Sequence, residues 1–547
     1  LKPGKNMVRN QNSPQLHTLY TDAFHQHWQL PLFTDYSGAT LTFGETAVRI
    51  QSLKKMMLNA GVAPGDKVAI YARNSTNWAI SFFSVMALGG VIVPVLPDFA
   101  PDNVMNILKH SESKMLFAEP GLLSKLDNSV EEELELIVST DDFSVIKGEV
   151  EPVSFENSDM EKEAFFFEER EENELLILSY TSGSMGFSKG VMLPVRSIES
   201  NIIYAREHMP LKAGDRIVSF LPMAHMFGLA FETLFPVTLG CHITYLTKVP
   251  TPQILLKALG EVKPHLILLV PLIIEKIYKK RIVPSLKKPA VKALLTVPGI
   301  RSLIYKKTRK TLIESFGGNF HEVVVGGAAL SPEVEAFFRK IDFPFTVGYG
   351  MTECGPLISY EAATSTKKGS SGRLVDRMEV RIDSSNPYKR SGEIQVRGRN
   401  VMLGYFKNEQ ANELTFTKDG WLKTGDLGVI DKENFIFIKG REKNMLLGPS
   451  GQNIYPEELE SRLSNFPFIQ ECVIVQRENR LVGLVYPDAE VMKEHGSTSE
   501  DLKVELEENR KAFNQAVASY EQLAAIEVVD QEFEKTPKKN IKRFLYS

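Results

Sequence analysis

Ser179-Tyr180-Thr181-Ser182-Gly183-Ser184-Met185-Gly186-Phe187-Ser188-Lys189-Gly190 is the stretch on which the predicted fold depends. A hydrophobic run, Leu175-Leu176-Ile177-Leu178, precedes it, and Val191-Met192-Leu193 follows it. This pattern predicts a strand, a small hydroxylated turn and a second strand. Glycines let backbone N–H groups approach an anion, and hydroxyls and the Lys189 ammonium add donors. The turn therefore suits a phosphate chain, with a flexible Ser/Gly hairpin as the plainer alternative.

The turn differs from a Walker loop, which ends in Gly-Lys-Ser/Thr and opens a helix. It resembles the phosphate loop of the adenylate-forming superfamily, which includes acyl-CoA synthetases, luciferases and peptide-synthetase adenylation domains. The usual form there is Thr-Ser-Gly-Ser/Thr-Thr-Gly-x-Pro-Lys-Gly. This chain departs from it at Met185, where the family has a hydroxyl, and at Ser188, where it usually has proline. The resemblance implies a catalytic Lys189 and a group of nucleotide contacts: Thr181, Ser182, Gly183, Ser184 and Gly186.

Size and composition predict a soluble protein of two or more domains. The 547 residues are too many for one core, and 43% hydrophobic and 24% charged residues are ordinary for a globular protein. A net charge of −4 gives no general attraction to nucleic acid. Three scattered cysteines favour a reducing compartment. Residues 1–15 lack the apolar core of a signal peptide and the longest apolar run, 266–274, is short, so we expect a cytoplasmic location.

Helices and strands alternate near the N-terminus. We predict a helix from the segment Leu41-Thr42-Phe43-Gly44-Glu45 to about residue 59, a strand over 68–71, a helix over 77–88 and a strand over 91–95. A strand, a helix and a strand of this length form a right-handed crossover between parallel strands. Such units place ligands at the carboxyl ends of the strands.

Two segments have an unusual charge. Residues 131–174 are strongly acidic and are expected to form a solvated surface, anchored by Phe165-Phe166-Phe167. Residues 276–310 contain no acidic side chain but many lysines and arginines, interleaved with apolar residues. This basic segment predicts either a peripheral contact with an anionic membrane, at the inner membrane surface, or a solvated pair of helices.

Leu221-Pro222-Met223-Ala224-His225-Met226-Phe227-Gly228-Leu229 follows a strand predicted over 216–220. The family has a similar Leu-Pro-x-x-His segment that lines its acyl pocket. The resemblance therefore implies that His225 touches the substrate, whereas a packed or capping histidine is the alternative.

Two further predicted strands end in small residues. These are Val323-Val324-Val325-Gly326-Gly327-Ala328-Ala329-Leu330 and Val347-Gly348-Tyr349-Gly350-Met351-Thr352-Glu353. Strands that end in glycine leave room for a flat ring on which Tyr349 can stack, Thr352 can donate to a phosphate oxygen, and a glutamate suits Mg²⁺. The pair resembles the adenine site and the Tyr-Gly-x-Thr-Glu motif of the family.

That resemblance implies catalytic roles for Thr352 and Glu353, with Glu353 as the metal ligand. It also implies nucleotide contacts from Gly327, Ala328, Tyr349 and Gly350, and substrate contacts from Gly326 and Gly348. Cys354, the next residue, is interpreted as a packing residue.

Trp421-Leu422-Lys423-Thr424-Gly425-Asp426 resembles the Thr-Gly-Asp motif of the family. A carboxylate has two acceptor oxygens, which suits the vicinal diol of a ribose, and the family aspartate accepts from both hydroxyls. A turn before a strand is the alternative for Asp426. Gly440-Arg441-Glu442-Lys443 follows, and the resemblance implies that Arg441 reaches the ribose and the phosphate and that Lys443 is the hinge.

We expect the domain boundary here, with an AMP- and acyl-binding domain over 1–440 and a mobile lid over 441–547. Beyond it, Gly448-Pro449-Ser450-Gly451-Gln452-Asn453-Ile454-Tyr455-Pro456-Glu457-Glu458 resembles the loop beside the pantetheine arm of coenzyme A, which implies a contact from Gly451. The lid is predicted to alternate helices over 457–463 and 499–517 with strands over 471–476, 481–486 and 525–529.

The tail Glu534-Lys535-Thr536-Pro537-Lys538-Lys539-Asn540-Ile541-Lys542-Arg543 resembles the segment that carries the catalytic lysine of the family, often Gly-Lys-Ile-x-Arg. Matching Ile541 and Arg543 puts Asn540 where that lysine belongs. Lys539 is one position away, about 3.5 Å in an extended loop. We predict that Lys539 replaces it, with Lys538, Lys542 or an impaired first half-reaction as alternatives.

The resemblance covers nearly the whole chain. It implies a multi-domain α/β (α+β) fold, with a large N-terminal domain of stacked α/β sheets and a β-barrel-like part, and a small mobile α+β domain. It implies an acyl-CoA synthetase, most similar to long-chain fatty-acid–CoA ligases, that uses ATP, Mg²⁺ and coenzyme A on a fatty acid. The alternatives are an aryl-acid or acyl-carrier-protein ligase, or an impaired acyl- or nucleotide-binding homologue.

Overall fold

The computed structural model describes residues 14–155, 160–181, 188–248, 250–447, 452–478, 480–495, 498–536 and 541–546. The strands in these ranges are β1 (Pro31–Asp35), β2 (Thr40–Thr42), β3 (Lys67–Tyr71), β4 (Val91–Pro94), β5 (Ser113–Ala118), β6 (Leu136–Ser139), β7 (Val145–Lys147), β8 (Leu175–Thr181), β9 (Lys189–Pro194), β10 (Arg216–Ser219), β11 (His242–Tyr245), β12 (Leu266–Leu269), β13 (Glu322–Val325), β14 (Phe345–Val347), β15 (Tyr349–Gly350), β16 (Leu357–Tyr360), β17 (Arg373–Leu374), β18 (Met378–Asp383), β19 (Gly392–Gly398), β20 (Gly404–Tyr405), β21 (Leu422–Ile430), β22 (Ile436–Arg441), β23 (Leu446–Leu447), β24 (Asn453–Ile454), β25 (Ile469–Arg477), β26 (Arg480–Pro487) and β27 (Leu523–Val528).

The helices are α1 (Leu16–Gln26), α2 (Phe43–Asn59), α3 (Thr76–Leu88), α4 (Pro101–Ser111), α5 (Pro120–Leu123), α6 (Val130–Glu133), α7 (Val195–His208), α8 (Met226–Gly228), α9 (Phe235–Val237), α10 (Pro252–Val262), α11 (Pro271–Ile277), α12 (Val283–Lys287), α13 (Pro289–Leu294), α14 (Pro298–Ser315), α15 (Pro332–Lys340), α16 (Glu409–Thr415), α17 (Pro456–Leu463), α18 (Ala489–His495) and α19 (Ser499–Ala516). Two π-helical turns, Leu229–Leu234 and Tyr278–Ile282, join neighbouring helices.

The largest sheet has the strand order β20-β9-β8-β4-β3-β5-β6-β7. Its central strands β8, β4, β3, β5 and β6 are parallel, and β9 returns antiparallel to β8. The predicted strand–turn–strand hairpin and the predicted parallel unit β3–α3–β4 are both confirmed. Gly89, at φ 81°, ends α3 in the left-handed conformation, which glycine adopts without a steric cost.

Two smaller parallel arrangements lie beside it. β12, β13 and β14 form one parallel sheet, and β10, β11 and β1 run parallel in another. Antiparallel strands β15–β17 and β18, β19, β21 and β22 complete the body, where a barrel-like part was predicted.

The helix predicted from 41–45 is confirmed as α2. The Thr42 hydroxyl accepts from the Glu45 N–H at 3.1 Å and the Glu45 carboxylate accepts from the Thr42 N–H at 2.7 Å. This reciprocal capping box satisfies donors that a helix N-terminus otherwise leaves unpaired.

The last part of the chain has its own hydrophobic cores. The buried residues of these cores all lie between Ile454 and Phe533. β25, β26 and β27 form a sheet that has α17 and α19 on one face and the tail on the other. We call residues 446–546 the C-terminal lobe and the residues before them the body. The elements predicted for this lobe are confirmed within two residues at each end.

The two charged segments are less uniform than predicted. The expectation of a solvated surface over 131–174 is wrong for β6, whose residues are all buried in the largest sheet because they pair with β5. Phe165 and Phe167 are buried and Phe166 is exposed, so the predicted anchor is confirmed.

In the basic segment, a pair of solvated helices is the wrong description. Four helices and a π-helical turn occupy this region, and Ile277, Tyr278 and Ile282 are buried against the body. Within the described ranges, no helix is both long enough and apolar enough to cross a membrane.

Candidate nucleotide and acyl site

Lys189 lies at the turn end of the β8–β9 hairpin. It is directly opposite Thr181, the last residue of β8, so both residues flank the turn predicted to bind phosphate. The Lys189 ammonium lies over the ring of Tyr405, 4.7 Å from the ring centroid. β20, which holds Tyr405, pairs antiparallel with β9 and fixes this contact.

Tyr405 also connects Lys189 to the predicted metal ligand. Its hydroxyl donates to Oε1 of Glu353 at 2.9 Å, and both residues are buried. The Glu353 backbone carbonyl accepts from the Met402 N–H at 2.8 Å, which ties the Glu353 turn to the segment before β20. One tyrosine therefore contacts both the cation and the carboxylate that the sequence predicts around a triphosphate.

Asp426 has a partner on each carboxylate oxygen. The Tyr349 hydroxyl donates to Oδ2 at 2.7 Å, and Arg441 Nε lies 2.7 Å from Oδ1. Asp426 and Arg441 are directly opposite each other on β21 and β22. Burial raises the pKa of the Asp426 carboxyl, and the Arg441 guanidinium opposes that shift. The same ion pair raises the pKa of Arg441.

The predicted adenine-site strands end beside each other. β13 and β14 are parallel neighbours, so Gly326 and Gly348 follow their carboxyl ends, and Gly348 N–H donates to the Val325 carbonyl at 2.9 Å. Gly327 and Ala328 are exposed at this edge. Tyr349 is 8% exposed and its hydroxyl is bound to Asp426, so only a small part of it is open to a ligand.

His225 and Phe227 approach the same edge from β10. His225 Nδ1 accepts from the Phe227 N–H at 3.3 Å, which caps α8, so the capping role considered for this residue is present. The Phe227 ring lies against Gly326, where a Cβ would be 2.9 Å from the ring. The sequence therefore needs glycine at 326 because Phe227 closes over the end of β13.

Charge interactions show that these groups form one site. Burial lowers the pKa of Lys443, and Arg441 and Lys189 lower it further, whereas Glu457 and Asp426 raise it. The charge of Glu353 in turn raises the pKa of both Asp426 and Arg441. The structure thus brings Lys189, Glu353, Asp426 and Arg441 close together, with buried Thr352 beside Glu353.

Several predicted contacts lie outside the described residues: Ser182, Gly183, Ser184, Gly186, Gly451, Lys539 and Asn540. Gly350 is described, and a Cβ there would lie 2.2 Å from the Pro356 carbonyl oxygen. This close approach of two backbone segments requires glycine at 350. Cys354 is buried, in agreement with the packing interpretation.

Sequence reasoning missed two residues that organise the site. Tyr405 is one, and Asn201 on α7 is the other: its amide donates to the Cys354 carbonyl at 3.0 Å and accepts from the Leu357 N–H at 2.9 Å. Asn201 therefore holds the loop after Glu353. Neither residue lies in a motif, and both act over more than fifty positions of sequence, so no local signal marks them.

The parallel sheets, the hairpin lysine and the buried carboxylates agree with the resemblance to adenylate-forming enzymes. A family model described as "AMP-binding enzyme" matches residues 21–406. The chain therefore belongs to the AMP-binding enzyme family, and the predicted superfamily and fold class are confirmed.

Relatives of known name include both fatty-acid and aryl-acid ligases. The chain is 29% identical to the long-chain-fatty-acid–CoA ligase FadD15 of Mycobacterium bovis, over 92% of this chain and 90% of that one. It is 28% identical to 4-coumarate–CoA ligase 4 of Arabidopsis thaliana, over 85% and 80%.

A solved structure shares the fold. The o-succinylbenzoate–CoA synthetase of Bacillus subtilis, in complex with its acyl-adenylate intermediate, has a TM-score of 0.75 and 20% identity, over 97% of this chain and 98% of that one. The same enzyme in complex with ATP and magnesium ion has a TM-score of 0.74.

Proposed function

We propose that this protein is an AMP-forming acyl-CoA synthetase that activates a long-chain fatty acid with MgATP and transfers it to coenzyme A. The observation that supports this most is the convergence of Lys189, Glu353, Asp426 and Arg441 where the turn end of the β8–β9 hairpin, the segment after β15 and the β21–β22 pair meet. Gly326 and Gly348 follow the carboxyl ends of the parallel strands β13 and β14, and such an edge is where open α/β sheets bind ligands. The groups that converge, two cations and two carboxylates, match a magnesium-bound nucleotide.

Each side chain has a role that its surroundings allow. Lys189 neutralises the β- and γ-phosphates, together with the donors of the adjoining turn. Thr352 donates to the α-phosphate. Asp426 accepts from the ribose diol through lone pairs that remain on its two oxygens, since a carboxylate has about four acceptor sites. Arg441 donates to ribose and phosphate from the other side of the ion pair.

The residues also fit a magnesium ion. Glu353 offers a buried hard oxygen ligand, held in place by Tyr405, beside the cations that contact the triphosphate. When bound, the ion supplies charge neutralisation for the leaving pyrophosphate.

In the first half-reaction, a carboxylate oxygen of the acid attacks the α-phosphorus of ATP. The bond to the bridging oxygen breaks, which gives acyl-AMP and pyrophosphate. A carboxylate is a weak nucleophile and ATP is highly charged, so the rate depends on positioning and on charge neutralisation. Lys539 on the tail is the proposed third cation, in place of the lysine expected at Asn540.

In the second half-reaction, the thiolate of coenzyme A attacks the acyl carbonyl and AMP leaves. The predicted mobile domain, residues 441–547, which contains the C-terminal lobe, is proposed to rotate about Lys443 between the two steps, relative to the predicted domain over 1–440. Rotation withdraws the tail and presents Gly451 to the pantetheine arm. The separate hydrophobic cores of the body and the lobe support this division.

The acid is proposed to be a long-chain fatty acid because the FadD15 relative is similar over nearly its whole length. The 4-coumarate ligase relative makes an aryl acid the competing candidate. Gly326, Gly348, His225 and Phe227 form the wall nearest the nucleotide edge, where either acid would place its carboxylate.

ATP–pyrophosphate exchange over a panel of fatty and aryl acids, with coenzyme A consumption measured in parallel, tests the proposal. We expect exchange and thioester formation to be fastest with long-chain acids. Faster turnover of aryl acids would overturn the substrate class. Exchange without thioester would indicate a carrier-protein acceptor, and no exchange with any acid would indicate a non-catalytic binder.

Lys539 has its own test. Lys539→Ala should abolish exchange and leave thioester synthesis from pre-made acyl-AMP intact, because only the first step needs its charge. Lys538→Ala tests the alternative residue and should leave exchange unchanged. Persistent exchange in the Lys539 variant would show that another residue supplies the cation.

We also propose that helices α12–α14 contact an anionic membrane. Leu294, Val297 and Leu303 are 43%, 46% and 66% exposed, and the helices around them carry exposed lysines and arginines. A surface of this kind suits anionic lipid, at about 1 kcal/mol for each basic residue near the headgroups. Sedimentation with anionic vesicles should capture the protein, and Leu303→Glu should reduce capture, whereas Leu414→Glu, another exposed leucine, should not. Equal pelleting with neutral vesicles would exclude the contact.

A further inference from the structure

Lys279 is a basic residue of the body that contacts the C-terminal lobe. It lies in the π-helical turn after α11, and its ammonium donates to the backbone carbonyl of Ser464. Ser464 is the residue that ends α17, so its carbonyl belongs to the last turn of that helix. The carbonyls of a last turn have no partner within the helix and carry its negative partial charge.

A second contact lies beside the first. Asn465 donates through its amide to the Ser331 hydroxyl at 2.9 Å and to the Ser461 carbonyl at 2.9 Å. On the body side, the Glu275 carboxylate accepts from the Ser331 N–H at 2.9 Å. Glu275 is on α11, one turn before Lys279, so both contacts with the lobe come from one connected unit of the body.

The surroundings of Lys279 belong to both parts of the chain. Burial lowers its pKa, while Glu275 and Glu333 of the body and Cys472 and Asp488 of the lobe oppose that shift. A partly buried ammonium keeps its charge most easily where acceptors surround it. The body alone supplies only part of these acceptors, and the lobe supplies the helix end.

The position of this contact along α17 makes it sensitive to lobe rotation. The first turn of α17 is close to the proposed hinge, since Glu457 accepts from Asn444 at 2.5 Å and Glu458 from Lys439 at 3.1 Å. Eight helical residues span about 12 Å, so a rotation about Lys443 that tilts α17 displaces its Ser464 end further than its Glu457 end. Such a rotation therefore separates Ser464 from Lys279.

We infer that Lys279 is a positioning residue that holds the C-terminal lobe in one of its two working arrangements by capping the carboxyl end of α17. The inference rests on the proposed function, because it needs a lobe that moves between half-reactions. It gives one basic residue of the 276–310 segment a role that neither the membrane contact nor nucleotide binding assigns to it.

The first test measures the lobe arrangement without any assay of activity. Spin labels are placed at Leu414→Cys on the body and Val504→Cys on the lobe, which are 70% and 66% exposed, whereas the three native cysteines are buried. The distance distribution by pulsed electron paramagnetic resonance is then compared with and without Lys279→Ala. We expect the substitution to shift population away from the distance of this structure, by about tenfold in the ratio of arrangements.

The second test separates the half-reactions. Lys279→Ala should slow one of them, exchange or thioester synthesis from pre-made acyl-AMP, by about tenfold and leave the other within twofold. Lys279→Arg should restore the rate, since it keeps the charge at the helix end. Lys276→Ala, an exposed lysine one turn earlier, is the matched control and should behave as wild type.

Unchanged distances together with unchanged half-reactions in Lys279→Ala would overturn the inference. Equal losses in both half-reactions would also overturn it, because they would indicate a general effect on stability. An absence of exchange in the wild-type protein would count against the proposed function instead, while the distance measurement would still decide the role of Lys279.

Discussion

Tyr405 offers the sharpest test of how the candidate site is organised. Tyr405→Phe removes the hydroxyl that donates to Glu353 at 2.9 Å and keeps the ring 4.7 Å from the Lys189 ammonium. Tyr405→Leu removes both contacts. The pair of variants therefore separates the effect on the predicted metal ligand from the effect on the lysine that is predicted to bind phosphate.

The magnitude follows from the two contacts. A hydrogen bond to an ionised group contributes about 1.5–3 kcal/mol, and 1.36 kcal/mol corresponds to a factor of ten, so Tyr405→Phe should slow exchange by roughly 10- to 150-fold. A cation–π contact contributes about 0.5–2 kcal/mol, so Tyr405→Leu should add a further loss of roughly 2- to 30-fold. The upper values are expected because Tyr405 and Glu353 are both buried.

The assay is ATP–pyrophosphate exchange as a function of magnesium concentration. The loss in Tyr405→Phe should appear as a higher magnesium requirement, because Glu353 is released from its orientation. The additional loss in Tyr405→Leu acts through Lys189 and should persist at saturating magnesium. Tyr388→Phe, at an exposed tyrosine, is the control. A Tyr405→Phe variant that matches wild type at every magnesium concentration would refute this account of the site.

Three further predictions concern Gly326 beside the predicted acyl site, the Asp426 carboxylate that is predicted to bind ribose, and Glu460 in the lobe. Gly326→Ala places a Cβ 2.9 Å from the Phe227 ring, so we expect a loss of about 1–3 kcal/mol in the free energy of unfolding. The addition of Phe227→Leu should relieve this loss, and denaturant titration of both variants decides this. Burial raises the pKa of Asp426, so exchange should fall on acidification at a higher pH than an ordinary aspartate would give, and a pH profile of Asp426→Asn should lack that limb. Burial raises the pKa of Glu460 to about 7, although the charge of Arg543 opposes this shift. The neutral carboxyl therefore stabilises the fold fully below about pH 4.5, and this stabilisation is lost as the pH rises through 7. Between pH 4.5 and 8, the free energy of unfolding of Glu460→Gln should rise by about 3 kcal/mol relative to that of wild type, and a difference that stays constant with pH would contradict this.

The elements that the sequence predicted well are those set by local patterns. The β8–β9 hairpin, the unit β3–α3–β4 and the capped start of α2 all depend on hydrophobic periodicity, a glycine stop or a capping pair within a few residues. The same holds for the C-terminal lobe, where alternating elements were predicted within two residues of their ends. Local free-energy differences decide these features, and the sequence displays them directly.

The features that escaped prediction depend on contacts between distant positions. Tyr405 and Glu353 are 52 positions apart, and Asn201 and Cys354 are 153 apart. The charge pattern predicts Lys279 only as one member of a basic segment, although its ammonium donates to the Ser464 carbonyl, 185 positions later. β6 was hidden within an acidic segment because its four buried residues are too few to change the average charge. Sequence spacing carries no signal for any of these pairings.

The predicted nucleotide contacts lie next to the start of the lobe in the chain. β21 carries Asp426, β22 carries Arg441, and Lys443 follows only two residues later, so the strand that is predicted to contact the nucleotide leads directly into the lobe. Glu457 at the start of α17 packs so closely on Gly440 that a Cβ there would lie 2.9 Å from its carboxylate. A nucleotide that contacts Asp426 and Arg441 is therefore expected to lie next to the end of β22 on which α17 packs. In the proposed reaction, the departure of pyrophosphate reduces the negative charge near Arg441 and Lys443. These residues lie where the chain passes from β22 into the lobe. The Lys279 contact lies at the far end of the same helix. We therefore expect that a change of the bound nucleotide and the loss of the Lys279 contact both change the population of the same arrangement of the lobe.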